Sequence, residues 1–196
     1  MEIYANGNRL DITLEQENTV GDFFKSFEQE CAKNDATTVG IIVDGKNVTA
    51  DDFDEVGRRD LSSVGRIEFS VISQSDIVSE FNVEAKECEA LSAQLAELSA
   101  KLQSGKDRES SDLISSLAAF LDRFCHTVTV SALFPEKFGS MMINGASIKE
   151  FFSDFSKILN DFKQAIEDKD TILMGDLAEY EISPRLSSIS DAIKET

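Results

Sequence analysis

The stretch "GRIEFSVISQSDIV", Gly65 to Val78, changes period in its middle. Ile67, Phe69 and Val71 alternate with Arg66, Glu68 and Ser70, the pattern of a strand with one buried face. After Ser73 the alternation stops. Ser75 or Asp76 fits a helix N-cap, and Ile77 and Phe81 open a stripe at helical spacing. The chain therefore divides here, into a sheet-forming part at 1–73 and a helical part at 74–196.

Working upstream, "MEIYA" and "RLDITLE" read as two short strands joined by "NGN". Asn-Gly supplies the positive φ angles of a type I′ hairpin turn. Leu10, Ile12 and Leu14 alternate with Arg9, Asp11, Thr13 and Glu15, which predicts a half-buried strand. In "NTVGDFFKSFEQECAKND", Thr19 fits an N-cap, with Asp22 suited to the positive helix end. Val20, Phe23, Phe24, Phe27 and Cys31 then share one helical face. "TTVGIIVDGKNV" predicts a continuous apolar strand turning at Asp44-Gly45, and "DDFDEV" a short helical turn.

The order ββαβ, short helix, β resembles the ubiquitin-like β-grasp superfold, and within it the small sulfur carriers of thiamine and molybdopterin synthesis. The opening hairpin, "NTVGDFF" and "IIVDGKNV" carry the resemblance. Those carriers act through a C-terminal Gly-Gly whose carboxylate is activated. Here Ser73-Gln74-Ser75 stands in that place, 123 residues follow the strand, and the chain closes on "AIKET". The resemblance therefore implies the fold and not the carrier chemistry.

Downstream, Cys88, Leu91, Leu95, Leu98 and Leu102 form an a/d seam, predicting one long helix packed on one or two others. Gly105 fits its C-cap, and Ser110 or Ser111 the cap of a second helix carrying Leu113, Leu117, Phe120, Leu121, Phe124 and Val128. A third helix begins near Ser147, with Phe151, Phe152, Phe155 and Phe162 on a wide apolar face. A fourth carries Leu173, Leu177, Tyr180, Leu186, Ile189 and Ile193; Pro184 should kink it, with Ser183 capping the restart. The expectation is α+β: a β-grasp domain at 1–73, then a four-helix bundle or paired helical hairpins at 74–196. Acidic four-helix proteins of this size resemble flagellar and type III export chaperones, which hold a partner's amphipathic helices in grooves. The segment "IEDKDTILMGDLAEYEISPRL" carries that resemblance.

Charge bounds the partners. The 196 residues carry 37 acids against 19 bases, a net −18. The excess is spread evenly, with 15 acids and 7 bases in 1–73 and 22 and 12 in the rest. Nucleic-acid binding needs cations to displace phosphate counterions, and anionic lipid repels such a chain. No apolar h-region opens the sequence, and no apolar run approaches a membrane span. Cys31, Cys88 and Cys125 are odd in number and far apart. They fit buried small hydrophobes in a reducing, cytoplasmic setting, not disulfides or a zinc set.

No catalytic signature stands out. The chain has no P-loop, GxGxxG, HExxH or GxSxG. His126 is the one histidine, and Cys125 beside it points about 100° away on a helix. The acids in "DDFDE", 51–55, lack the alternation of a calcium loop. The reading is non-enzymatic, with no cofactor or metal. The connector "LFPEKFGSMMINGAS", 133–147, is unusually apolar. Either it folds back to plug the helices, or Phe134, Phe138, Met141 and Met142 present an adaptable surface to a protein partner. The expected role is a protein-binding adaptor or export-chaperone-like factor; the alternative is a self-associating scaffold built on the long seam.

Overall fold

The computed structural model describes residues 1–14 and 17–195. The protein is α+β: a mixed five-stranded sheet, then mostly helices. It separates into two compact units, Met1–Asp76 and Ile77–Thr196.

In the first unit, β1 (Glu2–Ala5) and β2 (Asn8–Leu10) form a hairpin. Asn6 and Gly7 take φ of 48° and 80°, as its two-residue turn requires. Helix α1 (Val20–Lys33) follows, then β3 (Ala36–Val43), β4 (Lys46–Asn47), α2 (Phe53–Gly57) and β5 (Arg66–Ser73). The sheet order is β2-β1-β5-β3-β4, with β1 and β5 parallel at the centre. Past the end of β1, the Asn6 side chain continues the ladder. Its Nδ2 donates to the Val71 carbonyl and its Oδ1 accepts from the Val71 N–H, both at 2.9 Å.

Helix α1 starts where its chemistry directs. Thr19 and Asp22 form a reciprocal capping box, and Val20, Phe23, Phe24, Phe27 and Cys31 are its buried face. They meet Ile3, Val43, Ile67 and Phe69 of the sheet. Phe27 stacks on Phe69 with ring centroids 3.8 Å apart. Asp44, at φ 49° in the β3–β4 turn, accepts from the N–H groups of Gly65 and Arg66, and Arg59 pairs with its other oxygen at 3.0 Å. The second strand is shorter than expected. Ile12 and Leu14 lie beyond β2 and are exposed, so their alternation does not mark a strand face. Glu15, read as its last outward residue, lies outside the described residues.

The second unit departs further from the sequence reading. Helix α3 (Gln74–Leu95) is capped by Ser73, not by Ser75 or Asp76: Ser73 Oγ accepts from the Asp76 N–H, and Asp76 accepts from the Ser73 N–H at 2.8 Å. The leucine seam is broken. A tight turn at Ala96-Glu97 separates α3 from α4 (Leu98–Gln103), yet Leu91, Leu95 and Leu98 all stay buried. Gly105, at φ 74°, ends α4 as expected, with Lys106 N–H bonded back to Lys101. Helix α5 (Asp107–Ser131) starts before the serines expected to cap it. By length and composition α5 could cross a membrane, with mean hydropathy 1.2, which the sequence reading did not anticipate. Its Leu113, Leu117, Phe120 and Phe124 are buried inside the unit.

The apolar connector forms α6 (Pro135–Phe138) and a small hairpin, β6 (Met142–Ile143) with β7 (Ala146–Ser147). Helix α7 (Ile148–Asp168) opens with a second capping box, Ser147 with Glu150. The last helical run is α8 (Thr171–Asp176), a π-helical turn (Leu177–Ile182) and α9 (Ser183–Lys194). The run does restart with Pro184 in the first turn of α9, as expected, but Ser183 is helical, not a cap. The π turn supplies the adjustment: a wider turn relieves the clash between a proline ring and the carbonyl four residues back. It also moves the buried face to Met174, Ala178, Ile182 and Leu186, leaving Leu173 and Tyr180 exposed.

Polar ties hold these helices together. Ser92 of α3 bonds the Ser183 carbonyl and the Ser187 hydroxyl, both at 2.9 Å, and Ser190 donates to the Ala85 carbonyl. Arg123 of α5 pairs with Glu87, and Lys194 with Glu89. Where α8 crosses α4, only glycine fits at 175: a Cβ there would lie 2.7 Å from Ser99 Cβ.

Candidate functional site: an open groove beside the free edge of β3

β4 pairs with β3 only at Ile42 and Val43, and Val48 N–H adds one bond to the Ile41 carbonyl. Among the described residues, β3 upstream of that point has ladder partners on its β5 side alone. Its other edge faces a groove of about 630 Å³ between β3, α1 and α2. Phe24, Ile41 and Phe69 line its apolar part, and Val39 and Phe53 stand at it with 52% and 44% exposure. The register slips between Thr38 and Gly40, a β-bulge that turns Val39 outward.

Charges frame the groove. Asp22, Glu28 and Asp54 line it with Lys25 and Arg58. Glu28 reaches the strand edge: Thr37 Oγ1 donates to its Oε1 at 2.7 Å and the Thr38 N–H to its Oε2 at 3.0 Å. Partial burial raises the Glu28 pKa, but these hydrogen bonds outweigh it and hold the carboxyl below its ordinary value. Asp22 is also held low, chiefly by the Thr19 hydroxyl. The groove is thus anionic at neutral pH along its α1 wall. Among the described residues no cluster of His, Cys, Asp and Glu could hold a metal ion.

The four residues expected to form a partner surface do not form one together. Phe134 and Phe138 are buried: Phe138 packs edge-on to Phe81 at 5.9 Å, and Phe134 on Phe138 at 6.5 Å. Both therefore belong to the interior of the helical unit, because a ring with that many neighbours is removed from water. Met141 is half-buried and Met142 exposed, beside a shallow polar hollow of about 290 Å³. Cys125 is exposed, against the expectation of burial, while Cys31 and Cys88 are buried. Sequence reasoning missed the groove. Its one available signal was the length of "TTVGIIV" against the brevity of the "KN" strand that follows.

Residues 1–73 match the family model TP0873 N-terminal domain. Residues 85–192 match the model of a domain of unknown function, DUF8042. An uncharacterized protein of Treponema pallidum (strain Nichols) is 27% identical over 193 residues, which cover 98% of this chain and 96% of that protein. No solved structure matches the chain. Since the second model spans more than half of the sequence, the chain belongs to the DUF8042 family.

Proposed function

We propose that this protein is a non-enzymatic, cytoplasmic protein-binding factor that takes an extended, basic segment of a partner along the free edge of β3. The observation that carries the reading is the half-covered strand: β3 has backbone groups on an open side and an apolar groove beside it. Strand addition uses such backbone groups for affinity and pockets for alternate side chains for specificity. Charge selects the partner. The chain's net −18, with Asp22 and Asp54 at the groove, repels a second copy and attracts lysine or arginine side chains.

The β-grasp reading of the first unit belongs with this proposal. Its support is the order β2-β1-β5-β3-β4, the parallel central pair and one helix packed across a face. β5 continues into α3 with no glycine pair at that position, which disfavours a carrier role. The four helical runs 74–103, 107–131, 148–168 and 171–194 support a four-helix arrangement with one broken member.

The test is fluorescence anisotropy of the full chain with a labelled nonapeptide of alternating valine and lysine. Saturable binding, weakened at least about tenfold by Val39→Asp and abolished when glutamate replaces lysine in the peptide, is the expected result. Equal binding of both peptides, or none, refutes the proposal.

A further inference from the structure

Glu84 is a charged residue type with no exposed surface, placed on α3 against α5. One partner meets it: Thr127 Oγ1 lies 2.8 Å from Glu84 Oε1. The same hydroxyl lies 3.2 Å from the Arg123 carbonyl oxygen one turn back. Glu84 Oε2 is buried without a hydrogen-bond partner.

A threonine hydroxyl has one proton, so it can donate to only one of these two acceptors. If Glu84 is ionised, Thr127 must give that proton to the carboxylate. A full charge then lies buried with one hydrogen bond, and a bare oxygen beside it. If Glu84 is protonated, its own hydroxyl donates to Thr127, and Thr127 donates onward to the Arg123 carbonyl. Both short contacts are then made in one chain, with no buried charge. Oε2 lacks a partner in either state, but only the neutral acid makes both contacts and leaves no charge buried.

We propose that Glu84 is a protonated latch between α3 and α5, and that losing its proton as the pH rises through neutrality loosens this helix pair. The groups facing it are consistent with that behaviour. Glu80 and Glu87 on its own helix oppose a further negative charge. Arg123 of α5 favours one, but its guanidinium is already engaged with Glu87. Cys88, one turn on from Glu84, and Cys125 of α5 both feel its charge, and Lys194 of α9 acts at Cys88. Burial is the leading cause of a rise in the Glu84 pKa to about 7, with the Thr127 bond opposing it. The latch is therefore set near neutrality.

The test is a carboxyl-carbon NMR titration of Glu84 in the full chain, with amide hydrogen exchange of α3 and α5 on either side of neutrality. A midpoint near 7 is expected, with protection across both helices, after correction for intrinsic rates, falling by up to about tenfold per pH unit as the pH rises toward that midpoint and levelling off above it. Glu84→Gln, which keeps a neutral side chain of the same shape, should show no such fall. A midpoint in the ordinary glutamate range overturns the proposal, as does an equal loss of protection in Glu84→Gln. Should that variant not fold, the wild-type titration decides alone, and Thr127→Val should move the midpoint upward.

Discussion

Glu28 on α1 holds the backbone N–H of Thr38 on the open edge of β3, at 3.0 Å. The contact spans the mouth of the groove and has two consequences. It satisfies a donor that the sheet leaves unpaired, which protects the edge. It also occupies a donor that an incoming strand would use.

Glu28→Ala should therefore separate stability from binding. Losing a charged acceptor of two hydrogen bonds should cost about 1–2 kcal/mol in denaturant melts. The valine–lysine nonapeptide should bind with a similar or higher affinity, because the Thr38 N–H becomes available. A large loss of affinity would mean that Glu28 contacts the peptide itself.

The pH profile should be asymmetric. Glu84 has its folded-state pKa raised from 4.5 to about 7. A carboxyl raised in this way stabilises fully below its unfolded value, and that stability is lost as pH rises through the folded value. Asp44, Asp76 and Glu150 are held low by hydrogen bonds from Arg66, Ser73 and Ser147 respectively. Their stabilisation is present above their unfolded values and is lost as pH falls through the lowered ones. Thermal melts should peak between about pH 4 and 5 and fall on both sides. In Glu84→Gln the alkaline side should flatten and the acid side remain.

Thiol reactivity should follow burial. Desolvation pushes the Cys88 thiol up to about 12, with Glu84 and Glu87 adding to it. Cys125 is exposed, though its thiol is also raised, by desolvation first. Iodoacetamide at neutral pH should label Cys125 first, with Cys88 labelled only after unfolding, as read by mass spectrometry.

The 133–147 connector should divide by residue. Phe138→Ala removes a buried ring and should cost about 3–5 kcal/mol. Met142→Glu, at a residue with 50% exposure, should change stability by less than about 0.5 kcal/mol. If Met142→Glu destabilises as much as Phe138→Ala, the hairpin packs more tightly than its exposure implies.

The elements read well from sequence where local chemistry and burial agree. The five apolar positions of α1, its Thr19 cap and the helix start at Ser147 rest on contacts between neighbours in sequence, which spacing reports directly. The misses have one physical source: tertiary packing overrides a periodic pattern. The leucine seam continues through Ala96-Glu97, but the chain turns there with no glycine or proline to mark it. The π turn shifts the buried face from Leu173 to Met174, which a fixed helical period cannot show. The Asn144-Gly145 turn went unread inside the 133–147 connector, although Asn-Gly is the same hairpin signal as at Asn6-Gly7 and all four residues take positive φ. The groove could not be read at all, because it depends on which edge of β3 lacks a neighbour. Glu84 hid for a similar reason: nothing in "NVEAKEC" marks that glutamate as the buried one.

The central claim is that β3 gains a strand. Amide hydrogen exchange of residues 36–41, with and without saturating valine–lysine nonapeptide, tests it most directly. The account predicts at least about tenfold slower exchange at the edge-facing amides of β3, with Val39→Asp abolishing the effect. Protection confined to the helical unit around Met142, or no protection anywhere, would contradict it.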